Sequence, residues 1–203
     1  MMKNIILIIV IFLAVLNCKA QSPILSIKNI GLKNQSNAYY KDIDNELNPY
    51  EGTWVHTDGN TSLKIKLVKN EKAKEVNYYE DLIIGGYQYI ENGVEKINRL
   101  SDADNQTFDY DTVIHGNSLL NKCKYLPFEN DCIQGQTVML SLLFDDPISK
   151  GHVADLKVMK ITVNGQEALR GYMVFDYHGE YVEGEETPAP TLPWQQEYLF
   201  IKQ

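Results

Sequence analysis

The sequence predicts an all-β chain: an antiparallel meander of about eight or nine strands, either closed into a barrel or split into a two-sheet β-sandwich. Three observations carry this. Leu63, Ile65 and Leu67 alternate with Lys64 and Lys66, the period of two of a half-buried strand. Three turn signals, Asp58-Gly59-Asn60, Glu91-Asn92-Gly93 and Asn164-Gly165-Gln166-Glu167, each sit between strand-like runs. No stretch carries the apolar periodicity of a long helix. An antiparallel sheet of that many strands must close or split to deal with its edges.

Residues 1–20 read as an export signal. Lys3 supplies the positive start, and Ile5 to Leu16 is an unbroken apolar run of twelve. A bilayer span needs about 20, so the run suits the core of a signal peptide. Two processing routes are open: cleavage after Ala20, or a lipoprotein route in which Cys18 becomes the lipidated first residue. Removing residues 1–20 takes away Lys3 and Lys19 and no acid, which leaves 17 basic and 27 acidic side chains, a net charge of −10. Such a surface repels phosphate backbones and anionic head groups, so nucleic acid is excluded as a partner. Any membrane attachment would be through the lipid. The expected location is the periplasm, the outer membrane or the medium.

Residues 21–48 read as an N-terminal arm, and 49–203 as a single β domain. The arm ends in YYKDIDNELNPY, where Ile43 and Leu47 are four apart and predict one helical turn ended by Pro49. Gly52–Thr57 and Ser62–Lys69 form the first hairpin. LIIGGYQYI and VEKINRL form the second, and Gly85-Gly86 inside it predicts a bulge or a sharp bend. TVMLSLLF, nearly all apolar, reads as a central strand buried on both faces. LKVMKITV and ALRGYMVFDY form the third hairpin, with Met159, Ile161 and Val163 expected to meet Leu169, Met173 and Phe175. The acidic, proline-rich stretch from His178 to Pro193 is a loop, and WQQEYLFIK is the last strand.

Cys123 and Cys132 remain once Cys18 is removed or lipidated, and an exported pair predicts a disulfide. Closing so short a ring is worth roughly 2.5–3 kcal/mol in the chain-entropy picture. The four histidines, His56, His115, His152 and His178, have no metal-ligand spacing. SDADNQTFDYD places Asp102 and Asp104 as a calcium loop would. Thr107 stands where the EF-hand turn needs glycine, however, and Val113 cannot supply the last ligand, so a solvated acidic loop is expected, with a looser calcium site on Asp102, Asp104, Asp109 and Asp111 as the alternative. Neither a cofactor nor catalytic chemistry is proposed by any spacing.

Gly52-x-Trp54 at the start of a first strand, entered from a short helical turn, resembles the lipocalin and calycin signature. The resemblance implies a barrel in which the glycine lets the chain bend in and the indole plugs the closed end. Lipocalins stack an arginine on that indole. Arg170 lies in a late strand, on the face opposite Leu169, Met173 and Phe175. Over most of the chain the blocks NELNPYEGTW, the lysine-alternating strand, DLIIGGYQYIENGVEKIN and the last strand are similar to a family of small exported bacterial proteins of unknown function. That similarity implies a lipocalin-like domain in a Gram-negative envelope and attaches no activity.

Two functions follow as expectations. In the first, Trp54, Leu63, Ile65, Leu67, Tyr87 and Tyr89 wall a cavity that holds a small apolar or amphipathic molecule. In the second, the interior is filled, and the surface of a chain with thirteen tyrosines meets an envelope protein or a glycan.

Overall fold

A computed structural model describes residues 22–28, 35–105, 108, 111–122, 132–136, 138–179, 189–193 and 195–203. Cys18, Cys123 and the rest of residues 1–21 lie outside them, as does most of the acidic loop after Gly179. The strands are β1 Ile24–Ser26, β2 Tyr39–Lys41, β3 Gly52–Asp58, β4 Thr61–Lys74, β5 Tyr79–Glu91, β6 Val94–Asn98, β7 Ile114–Leu120, β8 Met139–Asp145, β9 His152–Val163, β10 Gln166–Tyr177 and β11 Gln195–Lys202.

Eight of these form a closed antiparallel ring in the order β3, β4, β5, β7, β8, β9, β10, β11. Ile83 to Gly85 pair with Gly116 to Ile114 on one side of the circuit. Val55 with Ile201 and Trp54 with Lys202 close it on the other. The unbroken circuit makes this a barrel and not a sandwich. β1, β2 and β6 lie outside the ring. β2, β7 and β6 occupy successive stretches of one edge of β5.

Alternation fills the lumen from every wall. Leu63, Ile65 and Leu67 point in from β4, and Leu140, Leu142 and Phe144 from β8. Ala154, Leu156 and Val158 do so from β9, and Leu169, Met173 and Phe175 from β10. The turns Asn92-Gly93 and Asn164-Gly165 have φ of 52° and 79° and of 51° and 79°. These are two-residue hairpins of the twist-matched kind.

Several expectations need correction. β8 is not buried on both faces, because Leu143 is 48 % exposed on the outer wall. Met159 and Ile161 do not meet Leu169. The two-residue turn sets Leu169 opposite Lys160 and Met159 opposite Arg170, so Met159 packs on the outside with Met139, Cys132 and Tyr172.

Gly85-Gly86 is no bulge, since pairing with β4 runs through both without a shift. They permit close approach instead: a Cβ on Gly86 would lie 2.0 Å from the Arg99 carbonyl oxygen. The bulge is in β4, between Asn70 and Ala73.

The arm is not a plain linker. β1 pairs parallel with β2, and β2 parallel with β5, while Ile27 and Tyr40 are buried in the core. The helical turn is a single 3-10 turn at Asn48–Tyr50, with Pro49 in its first turn and not beyond its end. Proline's fixed φ suits that position. Ile43, which was to anchor the turn, is exposed.

Buried carboxylates fasten the arm. Asp81, with no exposed surface, accepts hydrogen bonds from Tyr39 Oη at 2.5 Å, Asp42 N at 2.9 Å and Lys72 N at 2.9 Å. Asp42 accepts from Glu46 N, Leu47 N and, at 2.8 Å, Lys69 Nζ.

Candidate functional site

Gly52 and Trp54 stand where the chain enters the ring. Gly52 has φ of +132°, in the left-handed region that favours glycine, and a Cβ there would lie 3.0 Å from Lys202 Cε. Trp54 is fully buried, and its Nε1 donates to the Tyr50 carbonyl at 2.9 Å. The cation over its ring is Lys202, with Nζ 5.1 Å from the centroid, and not Arg170. Arg170 points outward and pairs with Glu197 at 2.6 Å. The swap was hidden because Lys202 is the next-to-last residue, and only ring closure lays it on Trp54.

The structure brings Trp54, Leu63, Ile65, Leu67, Tyr87 and Tyr89 together, but as packed core. None is more than 4 % exposed. All six belong to one apolar cluster with Phe144, Phe175, Tyr198 and Phe200. Tyr87 stacks at a tilt 4.3 Å from Phe144, and Phe175 meets Phe144 edge-on at 6.2 Å. Burial, first, then the nearby Asp146 and Asp145 charges, push the Tyr87 hydroxyl above its ordinary range. Its Oη donates to the Asp145 carbonyl at 3.1 Å.

Concave surface occurs outside the lumen. A cleft of about 430 Å³ lies on the rim between Arg99, Asp111, Val113 and the β8–β9 turn, Asp145 to Val153. Another of about 490 Å³ lies between Lys28, Glu46 and the end of β7. Neither is lined by any of the six residues.

The rim cleft has a rigid wall. Asp146, 3 % exposed, accepts from Ile148 N, Ser149 N, Thr191 N and Thr191 Oγ1 at 2.5–3.0 Å. It thereby ties the β8–β9 turn to the strap before β11. Ser149 Oγ donates to the Ala189 carbonyl, and the His152 ring lies edge-on to Phe175 at 6.5 Å. None of the ligand-binding residues expected from the sequence lies here. Asp145-Asp146-Pro147 between two apolar strands was the available signal.

The histidines occupy separate places. His56 Nδ1 meets the Leu199 backbone at 3.2 Å in the seam between β3 and β11, and His115 Nδ1 the Thr112 carbonyl. His152 is buried and His178 exposed. Asp102 pairs with Arg99 and Asp104 with Lys66, while Asp109 lies outside the described residues. Among the described residues no group of three or more His, Cys, Asp and Glu side chains is placed to hold a metal ion.

The chain matches the family described as "Family of unknown function (DUF6705)" over residues 2–203, and it belongs to that family. No curated protein and no solved structure matches it.

Proposed function

We propose that this family member is an exported, non-catalytic, lipocalin-like module of the cell envelope that works through its outer surface, on a protein or glycan partner. One observation favours this over a carrier. The six residues that would wall a ligand cavity are 0–4 % exposed and share one packed cluster with Phe144 and Phe175, the first of which lies against Tyr87. A carrier keeps several hundred Å³ of lumen for its guest.

Export is supported by residues 1–20, with their positive start and twelve-residue apolar run. Attachment through a lipid on Cys18 and release by cleavage after Ala20 both fit that segment.

Native mass spectrometry of the protein isolated from the envelope, with titration of a fluorescent fatty acid, tests the reading. The expected result is the mass of the bare chain, with or without lipid on Cys18, and no saturable uptake. A stoichiometric apolar molecule that Leu63→Phe or Ile65→Phe excludes would overturn it in favour of a small-molecule carrier.

A further inference from the structure

On the rim cleft we propose a partner chemistry: it seats a lysine side chain of a partner protein, with the Asp145 carboxylate as acceptor of the ammonium group. The inference rests on the outer-surface reading above and names the place and the charge of the contact.

Asp145 stands apart among the carboxylates of this region. Strand alternation sends Phe144 into the lumen and Asp145 outward into the cleft. Its backbone is committed: the N–H donates to the Val113 carbonyl at 2.8 Å and the carbonyl accepts from Tyr87. Its carboxylate has neither a hydrogen bond nor an ion pair among the described residues, yet it is half-buried. Burial raises its pKa above the ordinary range, with His115 opposing in part. A desolvated anion without a cation is a standing cost that an incoming ammonium removes.

The other charges around the cleft are differently disposed. Arg99 is turned to Asp102, Nε to Oδ1 at 3.0 Å and Nη2 to Oδ2 at 2.7 Å. Asp146 is buried under four donors. Asp111 lines the same cleft close to Arg99, and Lys150 stands exposed on its lip. Pro147 and Val153, both part-exposed, give the apolar surface along which a lysine stem lies while its head stays polar. The clamped β8–β9 turn holds this shape before binding, which lowers the ordering cost. The net charge of −8 for the whole chain draws a basic partner by long-range attraction. A glycan fits less well, because the lining has no Tyr, Trp or Phe ring on which a sugar could stack.

The test uses the full mature chain and two blocked tripeptides, acetyl-Gly-Lys-Gly-amide and its norleucine counterpart, followed by amide chemical shifts. The lysine peptide should bind saturably, moving resonances of Val113, Asp145 and Val153, and the norleucine peptide should not. Asp145→Asn should weaken binding by about tenfold, the loss of one charge-assisted hydrogen bond. Lys150→Met should leave it equal or tighter. Asp145→Asn should keep its urea midpoint, since the structural bonds at this position are made by the backbone.

Equal binding of the norleucine peptide, or an Asp145→Asn chain that binds as tightly as the parent, overturns the inference. So does a neutral oligosaccharide that shifts the same residues while the lysine peptide does not. Absence of lysine binding with an empty lumen sinks this proposal alone. A co-purified lumen ligand sinks the outer-surface reading instead.

Discussion

Lys202 holds its ammonium 5.1 Å from the ring centroid of Trp54 and bonds Glu167 Oε2 at 2.7 Å. The next-to-last residue of the chain is thereby fixed on the tryptophan of the first ring strand. Glu167 also takes Lys160, and the side-chain bonds from Lys160 and then Lys202 hold its carboxyl at about 2. Lys202→Met keeps the stem and removes the cation, so it should lower stability by about 1 kcal/mol. Trp54→Phe loses both indole volume and the bond to Tyr50, and should cost about 3 kcal/mol. Urea unfolding of the two variants gives both numbers.

Gly86→Ala should be among the most damaging single substitutions. The added methyl would lie 2.0 Å from the Arg99 carbonyl oxygen, and backbone on both sides of that contact must move. A loss of about 3 kcal/mol or more is expected, read as a lowered thermal midpoint.

The Lys69–Asp42 pair is buried, with side-chain exposures of 8 % and 1 %. Burial pushes the Asp42 carboxyl up, but the Lys69 bond and the Leu47 and Glu46 N–H groups outweigh it and hold it below its ordinary value. A carboxyl lowered by folding stabilises above its unfolded pKa of about 4, and that contribution is lost as pH falls through the folded value. Stability should therefore drop from about pH 4 downward, and Asp42→Asn should flatten that drop. Lys69→Met alone should cost about 3–5 kcal/mol by stranding a buried charge, and the double variant less than the two singles together. Urea titrations across acid pH measure all of this.

Two buried tyrosine hydroxyls should behave oppositely. Tyr87 Oη bonds the Asp145 carbonyl, so Tyr87→Phe should cost about 1 kcal/mol. Tyr198 Oη is buried with no hydrogen-bond partner among the described residues, so Tyr198→Phe should be neutral or slightly stabilising. Equal losses for the two in thermal unfolding would contradict these placements.

Cys132 packs beside Met139 and Met159 on the outer wall, and its expected partner Cys123 lies outside the described residues. With the expected bridge formed, reduction of the protein should add two hydrogens to its intact mass. Cys132→Ser should cost roughly 2.5–3 kcal/mol.

Local chemistry fixed much of this molecule. A lysine-spaced apolar run can bury only one face, and so β4 was legible from Leu63, Ile65 and Leu67. Asn-Gly pairs accept positive φ at two adjacent residues, and so the hairpins at Asn92 and Asn164 were legible too. Register was harder. Both a four-residue turn over Asn164 to Glu167 and the true two-residue turn set Met159 opposite an even-numbered residue of β10, so its expected meeting with Leu169 fails on strand parity and not on turn length. Leu143 was read as buried because hydrophobicity along a strand does not say which neighbours cover it; the outer wall of a barrel leaves it in solvent.

The relationships that bear on function are of long range. Lys202 reaches Trp54, Asp81 gathers Tyr39, Asp42 and Lys72, and Asp145 and Lys150 line one rim cleft, where the Asp145 carboxylate has no bonded cation among the described residues. Residues far apart in the chain meet only when the ring closes. Their composition was printed in the sequence, but the charges, cavities and close approaches between them exist only once the eight strands have turned back on the first.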